Sequence, residues 1–314
     1  MTLTSPPPPR HAGPPAPPQP PTQRQADRRR RRSPLSTVLG GIGEILITLG
    51  VLGLLFVVWE LWWTGIDADR DRREATEEFF SNIQATGPDG PSAAGSDGEP
   101  SFEVCYTLDD GTEIGCSPSM RDLADGEATM AMLYAPRLGD DWAAPVRHGT
   151  ESTQLDRGGV GHYTGTQWPD ERGNFALAGH RNTYASMLGN QDRLTPGDHL
   201  YLQTAEGIYT YEVSESYVVL PHERDVIAPV PRELEAEPET GLLTLTTCHP
   251  LFSNAERLIT HARIVDFQPT GTDVPAAIAH HMPDDAAAPQ ASVAEAHITA
   301  HGLGPLAETA GGQR

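Results

Sequence analysis

Lysine is missing from this chain of 314 residues, so each of its 22 basic side chains is arginine. That bias belongs to a GC-rich or salt-adapted proteome and is not a requirement of any fold. Aromatic residues reach only 6 per cent and apolar residues 38 per cent, below the usage of a compact soluble domain. With 31 Gly and 29 Pro besides, a good part of the chain lies outside any packed core. Basic charge is scarce against 43 acids, and the net charge of −21 argues against a nucleic-acid binder. A phosphate loop is lacking, because Gly158-Gly159-Val160-Gly161 has neither the lysine nor the following Ser/Thr. Metal-ligand spacing is lacking too: His162, His199, His222 and His261 have no i,i+4 or Cys-x-x-Cys-like partner, and His280, His281, His297 and His301 form a loose, solvent-exposed set. No cofactor is implied.

The charge that is present is segregated. Residues 1–36 carry seven Arg against one acid, a net +6, whereas the chain from Thr64 onward carries −25. Between them lies the most apolar stretch, from about Val38 to Trp59, with Ile45–Trp59 free of charge and Trp59, Trp62 and Trp63 at its far end. About 22 helical residues reach roughly 33 Å, enough for a hydrocarbon core near 30 Å. The alternative, a cleaved signal peptide, fits poorly: the apolar region is too long and no small-residue cleavage site follows. Five consecutive arginines, Arg28–Arg32, place the preceding tail in the cytoplasm and everything after the span outside.

The expected organisation follows. Residues 1–36 are a disordered Pro/Arg-rich cytoplasmic tail, 37–63 a transmembrane helix, 64–100 a helix-compatible stalk and a linker, and 268–314 a disordered C-terminal tail. The folded part, about 101–267, alternates short strand-like runs with turn signals: Thr129–Leu133, Asn174–Ala178, His199–Gln203, Tyr209–Leu220, Leu242–Cys248 and Arg257–Phe267. Many short strands with few helices, Tyr184–Leu188 among them, predict a mainly β fold with a closed or nearly closed barrel.

Three cysteines in an oxidising compartment constrain the reading. Asp110-Gly111 is a favoured two-residue hairpin turn, and about it Cys105 and Cys116 fall directly opposite, at a Cα separation of about 5.5 Å that suits a disulfide. The alternative is two free thiols. Cys248 is left over, either a buried small hydrophobe or a nucleophile. It ends the strand Leu242-Leu-Thr-Leu-Thr-Thr-Cys248, and Arg257 begins the next, so an antiparallel return brings the guanidinium beside the thiol, where it favours thiolate. His249 adjoins Cys248 but points to the other face of an extended strand.

These residues resemble the sortases. Thr244-Leu245-Thr246-Thr247-Cys248 matches the T-L-x-T-C signature, Arg257 lies nine residues beyond the cysteine as the sortase arginine does, and Leu177-Ala178-Gly179-His180-Arg181 is similar to the strand end that carries the sortase histidine. Gly161-His-Tyr-Thr-Gly-Thr166 and Gly173-Asn-Phe-Ala-Leu support the match, with Thr164 standing where the family usually has Pro. The resemblance covers about residues 130–267 and is greatest to the actinobacterial class E enzymes.

What the resemblance implies is specific. The fold is a sortase-type closed β-barrel with short helices over 130–267, preceded by a disulfide hairpin extension at 101–129 and the N-terminal transmembrane helix. The activity is that of a cysteine transpeptidase with Cys248 as nucleophile, His180 as acid and base, and Arg257 as oxyanion and substrate partner. Its partners are secreted proteins with a C-terminal LPxTG-like signal, for class E an LAxTG-like one, and the amine of a cell-wall peptidoglycan precursor, lipid II. The enzyme sits in the cell membrane as a single-pass protein with its catalytic domain extracellular. Two other readings stay open at this stage: an inactive binding barrel, or another cysteine peptidase of the cell envelope.

Overall fold

The structure is a computed structural model, which describes residues 34–86, 102–124 and 127–283. The Pro/Arg-rich stretch up to residue 33, the linker at 87–100 and the chain from 284 on, with His297 and His301, lie outside the described residues. Two compact units meet between Val57 and Val58.

The first unit is the start of helix α1, Pro34–Thr86. Within α1, Thr37–Trp59 has a mean hydropathy of 2.3 and is long and apolar enough to cross a membrane. Its apolar side chains, among them Leu46, Leu54 and Phe56, are exposed, and Thr48 returns its hydroxyl to the carbonyl of Glu44 at 2.8 Å.

The second unit is built on eight strands. In chain order they are β3 (Ala131–Tyr134), β4 (Ala143–His148), β5 (Val160–His162), β6 (Gly173–Gly179), β7 (His199–Gln203), β8 (Gly207–Val219), β9 (Gly241–His249) and β10 (Glu256–Pro269). They close into a barrel of order β10-β8-β7-β3-β4-β5-β6-β9, antiparallel except for the parallel pairs β4–β5 and β6–β9. Closure removes the free edges that a lone sheet would expose. The interior takes alternate residues of each strand: Leu133, Val146, Phe175, Leu177, Leu243 and Leu245 are all fully buried in one cluster. Each such side chain contributes roughly 1.5–3 kcal/mol relative to exposure.

Ahead of the barrel, β1 (Val104–Thr107) and β2 (Glu113–Gly115) form a hairpin, followed by the short helix α2 (Pro118–Asp122). Its turn differs from the expected one. The loop has three residues, Asp109–Gly111, with Gly111 at φ +93° and Leu108 N–H donating to the Thr112 carbonyl at 2.8 Å, the next commonest hairpin geometry. The register therefore slips by one, pairing Tyr106 with Ile114. An irregularity between Val104 and Tyr106 leaves Cys105 without a ladder partner, and Cys105 and Cys116, no longer directly opposed, are bonded with their Cα atoms 5.0 Å apart.

This hairpin is part of the barrel's packing rather than an appendage. Ile114 and Met120 are fully buried in the main core, and a Cβ at Gly115 would meet the Phe267 ring at 2.2 Å, so only glycine admits the close approach. Arg121 forks onto both oxygens of Asp170 at 2.8 Å, and Asp170 also accepts from Ser117 N–H at 2.9 Å. Tyr209 at the start of β8 donates to the Gly115 carbonyl at 2.7 Å. The hairpin thus sits at the end of the barrel where β6, β8 and β9 begin, away from the ends of β6 and β9.

The stalk is helical, as its charge pattern allows, and the helix runs on to Thr86 with Ala68, Ala75 and Phe79 buried. One expectation needs correction. The C-terminal tail is not unstructured from residue 268. β10 runs to Pro269, and Ile278 and Met282 pack with Phe79, Met132, Tyr134 and Tyr201 on the outside of the barrel. No periodicity announces these contacts, since isolated apolar residues use a surface made elsewhere in the chain. Under the same flank Arg147 of β4 is 1 per cent exposed, and among the described residues none of its three guanidinium nitrogens has a hydrogen-bond partner. Burial, and then the like charge of Arg157, lowers its pKa to about 10.

Candidate active site

The alternation of β9 determines which way Cys248 faces. Leu243 and Leu245 belong to the interior, so Thr244, Thr246 and Cys248 lie on the outer face. β9 runs between β6 and β10. On the antiparallel side Arg257 is the Cα partner of Cys248. On the parallel side the last registered pair is Ala178 with Thr246, and two residues further along each strand are His180 and Cys248. Paired positions present side chains to the same face, so the register brings the three candidates to one level on the outer wall. Thr247 binds the two strand ends together, donating its hydroxyl to the Gly179 carbonyl at 2.7 Å.

The side chains themselves are separately engaged. Among the described residues no hydrogen bond joins Cys248, His180 and Arg257 to one another. Cys248 is a free, half-buried thiol. Arg257 Nη1 donates to the carbonyls of Asn254, in the loop that connects β9 to β10, at 3.0 Å and of Glu256, the first residue of β10, at 2.9 Å. His180 directs Nε2 at Asp156 Oδ1, 2.7 Å away, and its ring lies 5.1 Å from that of Tyr184. Tyr184, Ala185 and Ser186 have φ of +51°, +66° and +48°, a run of left-handed residues without a glycine, each costing of order 1–3 kcal/mol.

Arg181 and Asp156 are the residues that sequence reasoning missed. Arg181 is 6 per cent exposed. It donates from Nη1 to His249 Nδ1 at 2.7 Å and to the Cys248 carbonyl at 3.4 Å, and pairs through Nη2 with Asp192 at 3.1 Å. His249 therefore braces the strand end from the face opposite the thiol. The Gly179-His180-Arg181 step held a signal for this arginine, since a side chain next to His180 on the strand must point the other way. Asp156 had none: it lies in a turn 24 residues before its partner.

A buried polar layer supports the outer face. Thr244 donates to Asn174 Oδ1 at 2.7 Å and meets His261 Nδ1 at 2.7 Å, and His261 Nε2 meets Tyr217 OH at 2.7 Å. Burial, then the nearby Arg232, lowers the His261 pKa to about 4. Asn174 Nδ2 donates to the carbonyls of Val226 at 3.3 Å and Ala228 at 3.0 Å, tacking the β8–β9 connection to the sheet. From the other flank Tyr163 OH meets Thr246 Oγ1 at 2.9 Å. The β8–β9 connection thus packs on this face of the sheet over a buried apolar cluster of Val219, Val226 and Ile259. Among the described residues no group of three His, Cys, Asp or Glu is arranged to hold a metal ion.

Several known proteins are similar to this chain. Sortase SrtE1 of Streptomyces coelicolor is 34 per cent identical over 244 residues, 76 per cent of this chain and 60 per cent of that protein, so the match spans less than two thirds of the relative. Sortase SrtE2 of the same organism is 28 per cent identical over 238 residues, 71 per cent of this chain and 81 per cent of the relative. The solved structure of sortase E from Streptomyces avermitilis is 38 per cent identical, with 48 per cent of this chain and 97 per cent of that one covered at a TM-score of 0.44. Residues 133–265 match the model of the Sortase domain, so over that stretch the chain carries a domain of the sortase family.

Proposed function

We propose that the chain is a membrane-anchored cysteine transpeptidase that cuts a C-terminal sorting signal between Thr and Gly and joins the new Thr carboxyl to an amine. The observation that supports it best is the register that sets Cys248 of β9 between Arg257 of β10 and the level of His180 beyond β6. The Cys248 thiolate attacks the Thr carbonyl carbon. The C–N bond to Gly breaks, His180 gives its proton to the departing amine, and a thioester remains. An incoming amine then attacks the thioester carbonyl, loses a proton to His180 and expels the thiolate. The amide energy is conserved in the thioester, so the cycle uses no nucleotide. Arg257 serves the substrate and the tetrahedral oxyanion once it leaves its loop carbonyls, a contribution of up to a few kcal/mol when preorganised.

The class E relatives support an LAxTG-like signal over LPxTG, and a peptidoglycan precursor such as lipid II as the amine. The apolar span Thr37–Trp59 and the arginines before it support an N-terminus in the cytoplasm and a barrel outside. The test incubates the full chain in detergent micelles with Leu-Ala-x-Thr-Gly and Leu-Pro-x-Thr-Gly peptides and an amine. Mass spectrometry should find Thr–amine product with the native chain and none with Cys248→Ala. No Thr–Gly cleavage of either peptide overturns the reading, and cleavage without amine product makes the protein a peptidase instead.

A further inference from the structure

His180 and the membrane-proximal helix meet at one short segment. Asp156 follows helix α3 (Ser152–Leu155) and holds His180 Nε2 at 2.7 Å. The next residue, Arg157, reaches α1 through Asp71, at 3.7 Å, and Glu127 at 3.2 Å. The one after, Gly158, has φ +70°, and a Cβ there would come within 2.3 Å of the Ala68 carbonyl of α1. Ala68, Ala75 and Phe79 form the buried stripe by which the Ile66–Ile83 part of α1 lies against the barrel. Of three consecutive residues, therefore, the first touches the histidine with its side chain, the second reaches the helix with its side chain, and the third lies against the helix with its backbone.

The chemistry of the pair gives the contact a purpose. A carboxylate accepts hydrogen bonds and does not donate, so the proton in the Asp156–His180 bond resides on Nε2. Nδ1 is left as the nitrogen that can take and give a proton. Both side chains are about one-third exposed, 29 and 31 per cent, and ion pairs so placed add little to stability. Orientation is what such a contact supplies.

We propose that Asp156 is a positioning residue that fixes His180 as its Nε2–H tautomer, leaving Nδ1 to exchange protons with thiol and amines, and that the Ile66–Ile83 part of α1 keeps Asp156 in place through Arg157 and Gly158. The proposal rests on His180 being the acid and base of the transpeptidation above. It makes the anchor's extension a component of the catalytic apparatus and not only a tether.

The experiment uses the full chain in nanodiscs, with the peptide-and-amine assay and the imidazole 15N spectrum of His180. Asp156→Asn should lower kcat about 10- to 100-fold with KM within twofold, and Asp156→Glu should recover part of the loss. The native spectrum should show the Nε2–H form, and Asp156→Asn a mixture of tautomers. Gly158→Ala, and more mildly Asp71→Asn, should lower kcat in the same direction, with less than an additive effect when combined with Asp156→Asn. Circular dichroism identifies a variant that has failed to fold. An active native chain and a dead His180→Ala, with Asp156→Asn at native kcat, overturn the role of Asp156. Native kcat in both folded Gly158→Ala and Asp71→Asn overturns the part assigned to the helix. A native chain that transfers nothing refutes the transpeptidase reading instead, and the tautomer spectrum still decides this one: a native Nδ1–H form overturns it.

Discussion

The hydroxyl of Thr247 and the carbonyl of Gly179 are joined at 2.7 Å across the parallel pair β9–β6, one residue short of Cys248 on one strand and of His180 on the other. No registered β-ladder pair lies beyond this point on that side. The bond is what sets the spacing of the two strand ends. Thr247→Val keeps the shape and leaves a buried carbonyl without its donor, at a cost of about 1–3 kcal/mol. Transfer activity should fall at least tenfold while the melting temperature drops only a few degrees. Activity equal to the native chain would mean that the strand ends are held by something else.

Arg147 is a buried charge whose guanidinium nitrogens have no hydrogen-bond partner among the described residues. Removing such a group in favour of an apolar one of similar length is often stabilising. Arg147→Met should raise stability by about 1–3 kcal/mol, read as a higher urea midpoint at unchanged slope. A destabilised variant would show that the charge is compensated by the acids acting on it, Asp71, Glu78 and Glu127.

The Cys105–Cys116 bond closes a short loop, 11 residues apart in sequence, for which chain entropy predicts about 2–3 kcal/mol. The double change to Ser should lower the thermal midpoint by several degrees. Because the hairpin lies at the end of the barrel remote from Cys248, kcat measured well below the new midpoint should stay within twofold of native. A large loss of kcat in the folded variant would contradict that separation.

Two histidines are buried in the neutral form. His162, desolvated and beside His148 at 3.1 Å, has its pKa lowered to about 4, as has His261. The unfolded chain takes up these protons near pH 6.5, whereas the folded one resists until about pH 4. Stability is thus level above pH 6.5 and falls as the pH drops from 6.5 towards 4, by about 3 kcal/mol for each histidine over the full range. Urea midpoints between pH 7.5 and 4.5 should decline accordingly, and His162→Gln should flatten the decline. A midpoint independent of pH would exclude both shifts.

Much of the site was legible because its residues end regular strands. Leu242–Cys248 reads as a strand that ends at the thiol, and an antiparallel return of β10 can bring Arg257 beside Cys248, as the register does. The span Ile45–Trp59 was legible because nothing else in the chain is so apolar. β4 and β5 were not. Ala143-Ala-Pro-Val-Arg-His contains a proline, an arginine and a histidine that are partly or wholly buried, and Val160-Gly-His is three residues long, so neither shows a two-residue period. The hairpin register slipped because a three-residue turn competes closely with the two-residue one at Asp-Asp-Gly. Asp156 went unseen because it lies in a turn 24 residues before its partner His180.

The barrel interior is filled with side chains from wall to wall, and the thiol faces away from it. A polypeptide therefore cannot reach Cys248 by threading a pore from a free end. It must be laid in sideways, with chain continuing on both sides of the scissile bond. Such an entrance accepts the middle of a strand as readily as its tip, so further chain on both sides of the proposed Thr–Gly cleavage point is compatible with reaction.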